Sequence, residues 1–255
     1  FKQILQQVKA HPAWTTPLTP GRGRGVALGM RREGAGVSSA HMAVNGDATF
    51  SLVIGSVDLT GVRTSLAQIA AEELGVDVSD ISVSVGDTDS VGYTDGSWGS
   101  RTTYVTGTAV LRAAREIQRQ LKERAALRFQ VESSAVEYQD RTFYVQGNPG
   151  QRVSLSELCR TNVGQGIGAI LGSGVASGLA PITSTAIQVA EVEVDSETGK
   201  ISVVKYTAFQ DPGQAVNPVE VEGQMQGSVA QGMGWALWEG YAWQRDLLQN
   251  PTFLD

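Results

Sequence analysis

One cysteine, Cys159, and two histidines, His11 and His41, are all the thiol and imidazole in 255 residues. A single cysteine excludes an internal disulfide and any iron–sulfur or zinc site built from four thiolates. Two imidazoles exclude a histidine-rich metal site. Basic residues are also in deficit: 20 Lys and Arg stand against 26 Asp and Glu, a net charge of −6. That balance argues against nonspecific nucleic-acid binding, which needs a basic surface. No apolar run approaches the ~20 residues of a membrane span. "FKQILQQVKAHPAW" has neither the apolar stretch nor the cleavage site of a signal peptide, so the expected location is the cytoplasm. A starting methionine is missing too, and the text reads as a piece of a longer chain.

Glycine is in excess, at 30 residues where average usage gives about 18. Such an excess points to backbone making close approaches. The remaining text sorts into elements. Ile4, Leu5 and Val8 have the spacing of a short amphipathic helix, and Pro12, Pro17 and Pro20 then form an extended connector ending in "GRGRG". "RGVALGM" and "GVSSAHMAV" read as strands, and "NGD" at 45–47 as a hairpin turn leading to a strand over 48–59 buried on both faces. Leu66, Ile69, Ala70 and Leu74 stripe a helix that Gly75 can stop, and "ISVSVGD" is a strand. A long helix is expected from about Thr106 to Leu127, with Ala109, Val110, Ala113, Ile117 and Leu121 inward. "AVEYQDRTFYV" is a hairpin turning at Asp140, and Ser154 with Glu157 makes a capping box. "GQGIGAILGSGVASG" (164–178) reads as a stretch without a regular element. "AIQVAEVEVDSETGKISVVKYTAFQD" is a long hairpin, and Asn217, Pro218 and Glu220 open a last helix. The irregular mixture argues for an α+β fold rather than a doubly wound sheet.

Several constellations have two readings. Gly223, Gly227, Gly232 and Gly234 in the last helix favour close packing, although Gln224 and Gln226 near its start can present amides to a ligand. "GQGIGAI" and "GRGRG" lack the strand–loop–helix context of a dinucleotide-binding motif. Cys159, inside an amphipathic pattern without a nearby histidine, reads as a buried structural thiol. Asp87 and Asp89 in "GDTDS" fit a strand-ending turn better than a metal pair. The octapeptide "GSWGSRTT" (96–103) is either an ordinary turn before a helix or an anion cradle of backbone N–H groups and hydroxyls at a helix N-terminus, with Arg101 as its one formal charge.

The order of the pieces carries more than any one of them. "GSVDLTGVRTSLAQIAAEELGV", "ISVSVGDTD", "GSWGSRTTYVTGTAV", "AEVEVDSETGKISVVKY" and "NPVEVEGQMQGSVAQGMGWALWE" together resemble the molybdenum hydroxylase family, that of xanthine dehydrogenase, aldehyde oxidase and aerobic carbon monoxide dehydrogenase. The resemblance runs from about Gly21 to Glu239 and corresponds to the second molybdopterin-binding region of the large subunit. It implies residues 1–20 as an N-terminal helix and connector ahead of a molybdopterin-binding region over 21–255, divisible into two subdomains.

The cofactor so implied is molybdopterin with molybdenum, in bacteria often as the cytosine dinucleotide. The loop around its pyrophosphate matches Ser97, Trp98, Gly99, Ser100, Arg101, Thr102 and Thr103, and Gln224 in "EGQ" matches a glutamine that hydrogen-bonds the cofactor. Thr60 and Gly61 in "DLTGVRT" stand where relatives carry "GQG" or "GTG" ahead of the "LAQ" helix, with one residue fewer here. The implied reaction is hydroxylation of an aldehyde or N-heterocycle with oxygen from water, electrons leaving through [2Fe–2S] clusters and FAD on other domains or subunits of an oligomer. The family's catalytic glutamate lies in a downstream "GE" motif that nothing here matches, so the fragment is expected to be inactive alone. The competing class is a non-catalytic assembly or binding domain that retains the scaffold.

Overall fold

A computed structural model describes residues 1–87, 89–164 and 168–252. In chain order they form α1 (Lys2–Ala10), α2 (Pro12–Thr15), β1 (Arg22–Glu33), β2 (Ser38–Val44), β3 (Phe50–Ile54), α3 (Val62–Leu74), β4 (Ile81–Val85) and α4 (Thr102–Phe129). There follow β5 (Val136–Gln139), β6 (Thr142–Val145), β7 (Asn148–Ser154), α5 (Leu155–Gly164), β8 (Leu171–Ala176), β9 (Ile182–Val194) and β10 (Ile201–Asp211). Last come α6 (Pro218–Leu237), β11 (Trp243–Gln244) and β12 (Leu247–Leu248). Helices and several small sheets in irregular order make this an α+β protein. Contacts divide it into two units, Arg31–Thr183 and Phe1–Met30 with Ser184–Asp255.

In the unit Arg31–Thr183 the central sheet has the order β4-β3-β2-β8. Residues 45–48 turn β2 back on β3, the Ala48 N–H donating to the Asn45 carbonyl (3.0 Å) and the positive φ falling on Ala48 (69°) rather than on the expected Asn45–Gly46; this sets Ala40 opposite Ile54 and Val44 opposite Phe50. Phe50, Leu52 and Ile54 are buried while Ser51 and Val53 are only half-buried, the alternation of a strand with one core face. The expected strand over 48–59 is therefore shorter and one-sided. It stops at Gly55, where a Cβ would lie 2.8 Å from the Thr94 side chain, and Val57 and Leu59 beyond it are exposed.

From β3 the chain crosses through α3, which buries Leu66, Ala70 and Leu74 and ends at left-handed Gly75, φ 63°. It returns as β4, parallel to β3 with Ile81 opposite Phe50. Because β3 and β4 are parallel, the loops over 55–61 and 86–101 leave the same edge of the sheet, and each leads into a helix N-terminus.

Two expectations fail here. α4 begins at Thr102, four residues before the expected start, because Arg101 and not a threonine stands at its N-cap; its interior is as expected, with Ala109, Val110, Ala113, Ile117 and Leu121 buried. The stretch over 164–178 contains β8, antiparallel to β2, and residues 165–167 lie outside the described residues. Gly172 and Gly174 are required by α4: a Cβ on Gly172 would sit 2.4 Å from the Ala113 carbonyl oxygen.

A second sheet, β5-β6-β7, follows α4. Asp140 and Arg141, φ 49° and 58°, make the two-residue turn between β5 and β6. β7, whose Pro149 and Gly150 hide it in the text, pairs with β6. The Glu157 N–H donates to Ser154 Oγ (3.2 Å) at the start of α5. Cys159 on α5 is buried, and burial pushes its thiol up to about 11, which leaves it a structural, protonated thiol.

In the other unit β9 and β10 form the long hairpin, from Val194 opposite Ile201 to Thr185 opposite Asp211. Asp195 Oδ1 closes its turn by accepting the Glu197 and Thr198 N–H groups, both at 2.9 Å. β1 borders β9, so "GRGRG" is strand rather than the end of a connector, with Arg22 and Arg24 each 3.1 Å from a Glu191 carboxylate oxygen. The proline segment ahead of it holds α2, with Pro12 in the first turn and His11 Nδ1 accepting the Ala13 N–H. Ile4, Val8 and Ala13 pack with Ile187 and Val189, which joins the N-terminal helix to the C-terminal hairpin. Among the described residues no helix is long and apolar enough to cross a membrane.

Candidate cofactor site

The loop over 86–101 folds back on the segment that enters β2. The Asp95 N–H donates to the Val37 carbonyl (2.9 Å), and the Val37 N–H returns to Asp95 Oδ2 (2.7 Å). Gly36, φ 96°, is obligatory there, since a Cβ would lie 2.3 Å from that carboxylate oxygen. The Val37 N–H, and then the Tyr93 hydroxyl donating to Oδ1 (2.8 Å), hold the Asp95 carboxyl below the ordinary range. In return the Asp95 hydrogen bond and charge raise the Tyr93 phenol.

Arg101 points inward and is 1% exposed. Its Nε donates to the Ala35 carbonyl (2.7 Å), and Nη2 to the Val37 carbonyl (2.7 Å) and Ser38 Oγ (2.8 Å). Nη1 donates to the Asp95 carbonyl (2.8 Å) and, more weakly, to that of Gly96 (3.4 Å). A guanidinium has five donors, and five acceptors of the chain itself receive them. The sequence reading of Arg101 as the charge facing a phosphate is thereby corrected: the side chain lies under the loop. Burial pulls its pKa down and the Asp95 charge opposes that pull.

The rest of the octapeptide is different. Gly99 and Ser100 are both left-handed, φ 61° and 53°, and Arg101 is right-handed helical. In such a run successive N–H groups converge on a concavity suited to an anion. Ser100 and Thr103 are exposed, and Trp98 is 59% exposed. Thr102 is buried, its hydroxyl 3.2 Å from Ser97 Oγ. The first turn of α4 receives no side-chain cap from Arg101, so the orphan amides of Thr102, Thr103 and Tyr104 keep the N-terminal partial positive charge open.

The N-terminus of α3 is built alike and filled otherwise. Thr60 and Gly61 are both left-handed, φ 60° and 75°. There the Asp58 carboxylate accepts the Arg63 N–H (3.2 Å) and pairs with Arg63 Nε (3.1 Å). An acid already occupies that helix end, and its charge disfavours a phosphate beside Thr60 and Gly61. Of the two neighbouring helix starts, α4 is the one whose donor set fits an anion. Asp87 accepts the Asp89 N–H (3.0 Å) and the Ser90 hydroxyl, the turn expected of "GDTDS".

Gln224 lies in the second turn of α6, in the unit that holds β9 and β10. It is exposed, and its carbonyl accepts the Ser228 hydroxyl (2.8 Å). Asn217 is the N-cap of α6 but gives no side-chain cap bond. No α6 side chain is buried, and nothing lies within 4 Å of a Cβ built on Gly223, Gly227 or Gly232. Close packing, the favoured reading of the four α6 glycines in the sequence, is not what Gly223, Gly227 and Gly232 do among the described residues, whereas Gly234 is approached by the Glu239 side chain. Gly36, Ser38, Ser56, Asp95 and Thr106 were not legible as site residues, because they are single small or polar side chains dispersed over 70 positions of sequence; the one hint is the pair of glycines around Ala35.

The site is thus an uncapped helix start beside a donor-rich loop, an arrangement suited to an anion. The molybdopterin cofactor-binding domain family matches residues 5–255, and the chain belongs to it, as a segment of the large subunit of molybdenum hydroxylases. It is 30% identical over 281 aligned positions to the nicotine 6-hydroxylase large subunit of Paenarthrobacter nicotinovorans, covering 98% of this chain and 34% of the relative. It is 30% identical to the carbon monoxide dehydrogenase large chain of Hydrogenophaga pseudoflava, over 76% of this chain and 25% of that one. The fold is similar to that of quinoline 2-oxidoreductase from Pseudomonas putida 86, with TM-score 0.83 over 92% of this chain and 33% of that chain at 24% identity. The chain spans about a third of the length of the first of these curated relatives, and a quarter of the second.

Proposed function

We propose that this chain serves in the cofactor-binding large subunit of a cytoplasmic oxidoreductase that hydroxylates an N-heterocycle or an aldehyde with oxygen from water. The observation that carries the reading is the uncapped N-terminus of α4 beneath left-handed Gly99 and Ser100. Ser97, Trp98, Gly99, Ser100, Thr102 and Thr103 receive the pyrophosphate of molybdopterin cytosine dinucleotide through neutral donors, which bind phosphate without burying further cations. Thr60 and Gly61, beside Asp58, meet an uncharged part of the cofactor, and Gln224 offers it an amide donor and acceptor. When bound, the molybdenum–pterin group supplies two-electron redox chemistry at the substrate carbon. Iron–sulfur and flavin groups on other domains or subunits of an oligomer take the electrons. The name of the relative nicotine 6-hydroxylase supports an N-heterocyclic substrate.

Gln224→Leu in the intact large subunit keeps the volume and removes both hydrogen-bonding functions. Partners left unpaired cost about 1–3 kcal/mol each, so cofactor affinity is expected to fall roughly ten- to a hundredfold. Molybdenum per subunit and the pterin released on denaturation measure it, and a fully loaded variant would remove Gln224 from the site. The 255-residue chain by itself, supplied with cofactor, is expected to show no turnover, because nothing in it matches the family's catalytic glutamate. A positioned acid–base group is worth roughly 10²–10⁴-fold in rate. Steady dye reduction by the purified chain with an aldehyde or a purine would contradict this.

A further inference from the structure

We infer that Arg101 and Thr106 are positioning residues for the cofactor loop, acting from beneath it through one buried chain of hydrogen bonds. The inference rests on the reading of residues 96–103 as the pyrophosphate seat. Three of the Arg101 acceptors belong to residues 35–38 and two to residues 95–96, so one planar guanidinium joins the entry of β2 to the floor of the loop. Ser38 Oγ, which accepts from Arg101, lies 2.9 Å from Thr106 Oγ1, and Thr106 Oγ1 lies 2.9 Å from Ser56 Oγ. Ser38, Ser56 and Thr106 are all buried. In each of these two contacts either hydroxyl can be the donor, since Ser38 Oγ keeps a second lone pair beside the one that receives Arg101. Ser56 stands in the loop that leads to α3, so the chain ties together the two loops at the C-terminal ends of β3 and β4.

Each link is chemically specific. Lysine has the charge of arginine but a single ammonium with three donors, which cannot serve the five acceptors that the planar guanidinium fork reaches. Valine has the shape of threonine but leaves Ser38 and Ser56 unlinked inside the core. Both side chains are buried beneath the loop, so an effect on cofactor retention passes through the loop they hold.

The test is made on the assembled holoenzyme, with Arg101→Lys and Thr106→Val in the large subunit. The readout is the rate of pterin release, followed by its fluorescence, well below the unfolding midpoint and with near-ultraviolet circular dichroism verifying that the protein is folded. Release is expected to be at least about tenfold faster in Arg101→Lys and about three- to tenfold faster in Thr106→Val. The double variant should fall short of the product of the two, as for residues in one network. A role in stability alone would lower the unfolding midpoint and leave release from folded protein unchanged, and that result would overturn the inference. If Arg101→Lys does not assemble, Thr106→Val decides by itself. Ser100→Asp, on the outer side of the loop, separates the two readings. If it leaves cofactor content intact, the pyrophosphate seat itself is wrong. If it empties the site while Arg101→Lys and Thr106→Val release at the parental rate, only the positioning roles fall.

Discussion

Ser100→Asp in the intact large subunit is expected to raise thermal stability slightly while lowering molybdenum and pterin content ten- to a hundredfold. The two effects have opposite signs because the same charge meets two environments. Ser100 is left-handed, φ 53°, a conformation that Asp tolerates better than most residues. It stands one residue before the N-cap of an uncapped 28-residue helix, where a carboxylate contributes roughly 0.3–1 kcal/mol through the helix dipole. Against a phosphate about 4–5 Å away the same carboxylate is repelled by about 3–4 kcal/mol at an effective dielectric of 20, less what salt screens. An ordinary turn would show only the first effect. Calorimetry on the cofactor-free subunit and metal analysis of the loaded one measure the pair, with Ser100→Asn as the neutral control. Parental molybdenum content in the aspartate variant would eliminate the loop as a phosphate seat.

What could be read in the linear text follows from how local each determinant is. The stripe Leu66, Ala70, Leu74 and the interior run Ala109 to Leu121 announce their helices because the period is contained in the segment. "NGD" and Asp140 announce their hairpins because turn chemistry is local, although the left-handed residue of the first turn is Ala48. The start of α4 was not legible: serine and threonine before a helix suggest a cap, whereas the capping position belongs to an arginine that caps nothing. β8 was not legible for a different reason. Gly172 and Gly174 are read locally as breakers, yet their meaning lies some 60 residues upstream in the backbone of α4. The site divides in the same way. Neutral donors in residues 96–103 are visible in the text, and the ordered motifs supply their guest. That Arg101 turns inward depends on carbonyls at 35 and 37, a partnership no spacing rule expresses.

Gly174→Ala is expected to be the most destabilising single methyl group in the unit Arg31–Thr183. Its Cβ would lie 2.0 Å from the Ala109 carbonyl oxygen, 2.8 Å from the Ala113 nitrogen and 2.9 Å from the Arg112 Cβ. Two of these are backbone atoms of α4, which cannot rotate away as a side chain can, so either α4 or β8 must move. β8 is held by β2, with Gly174 opposite Ala40, and α4 is held by its buried face. Overpacking of this kind costs about 3 kcal/mol or more, a fall of roughly 6 °C or more in the unfolding midpoint of a unit this size. Gly150→Ala, in β7 of the same unit, meets only Asn148 Oδ1 at 3.6 Å and should be neutral to about 1 kcal/mol stabilising. The displacement has a functional consequence, because the helix pushed off β8 is the one that carries Arg101 at its N-cap and Thr106 in its second turn. Cofactor content in Gly174→Ala should therefore fall even at temperatures where the variant is folded. If Gly174→Ala melts within 1 °C of the parent and loads fully, the close approach of β8 to α4 is not what fixes the start of that helix.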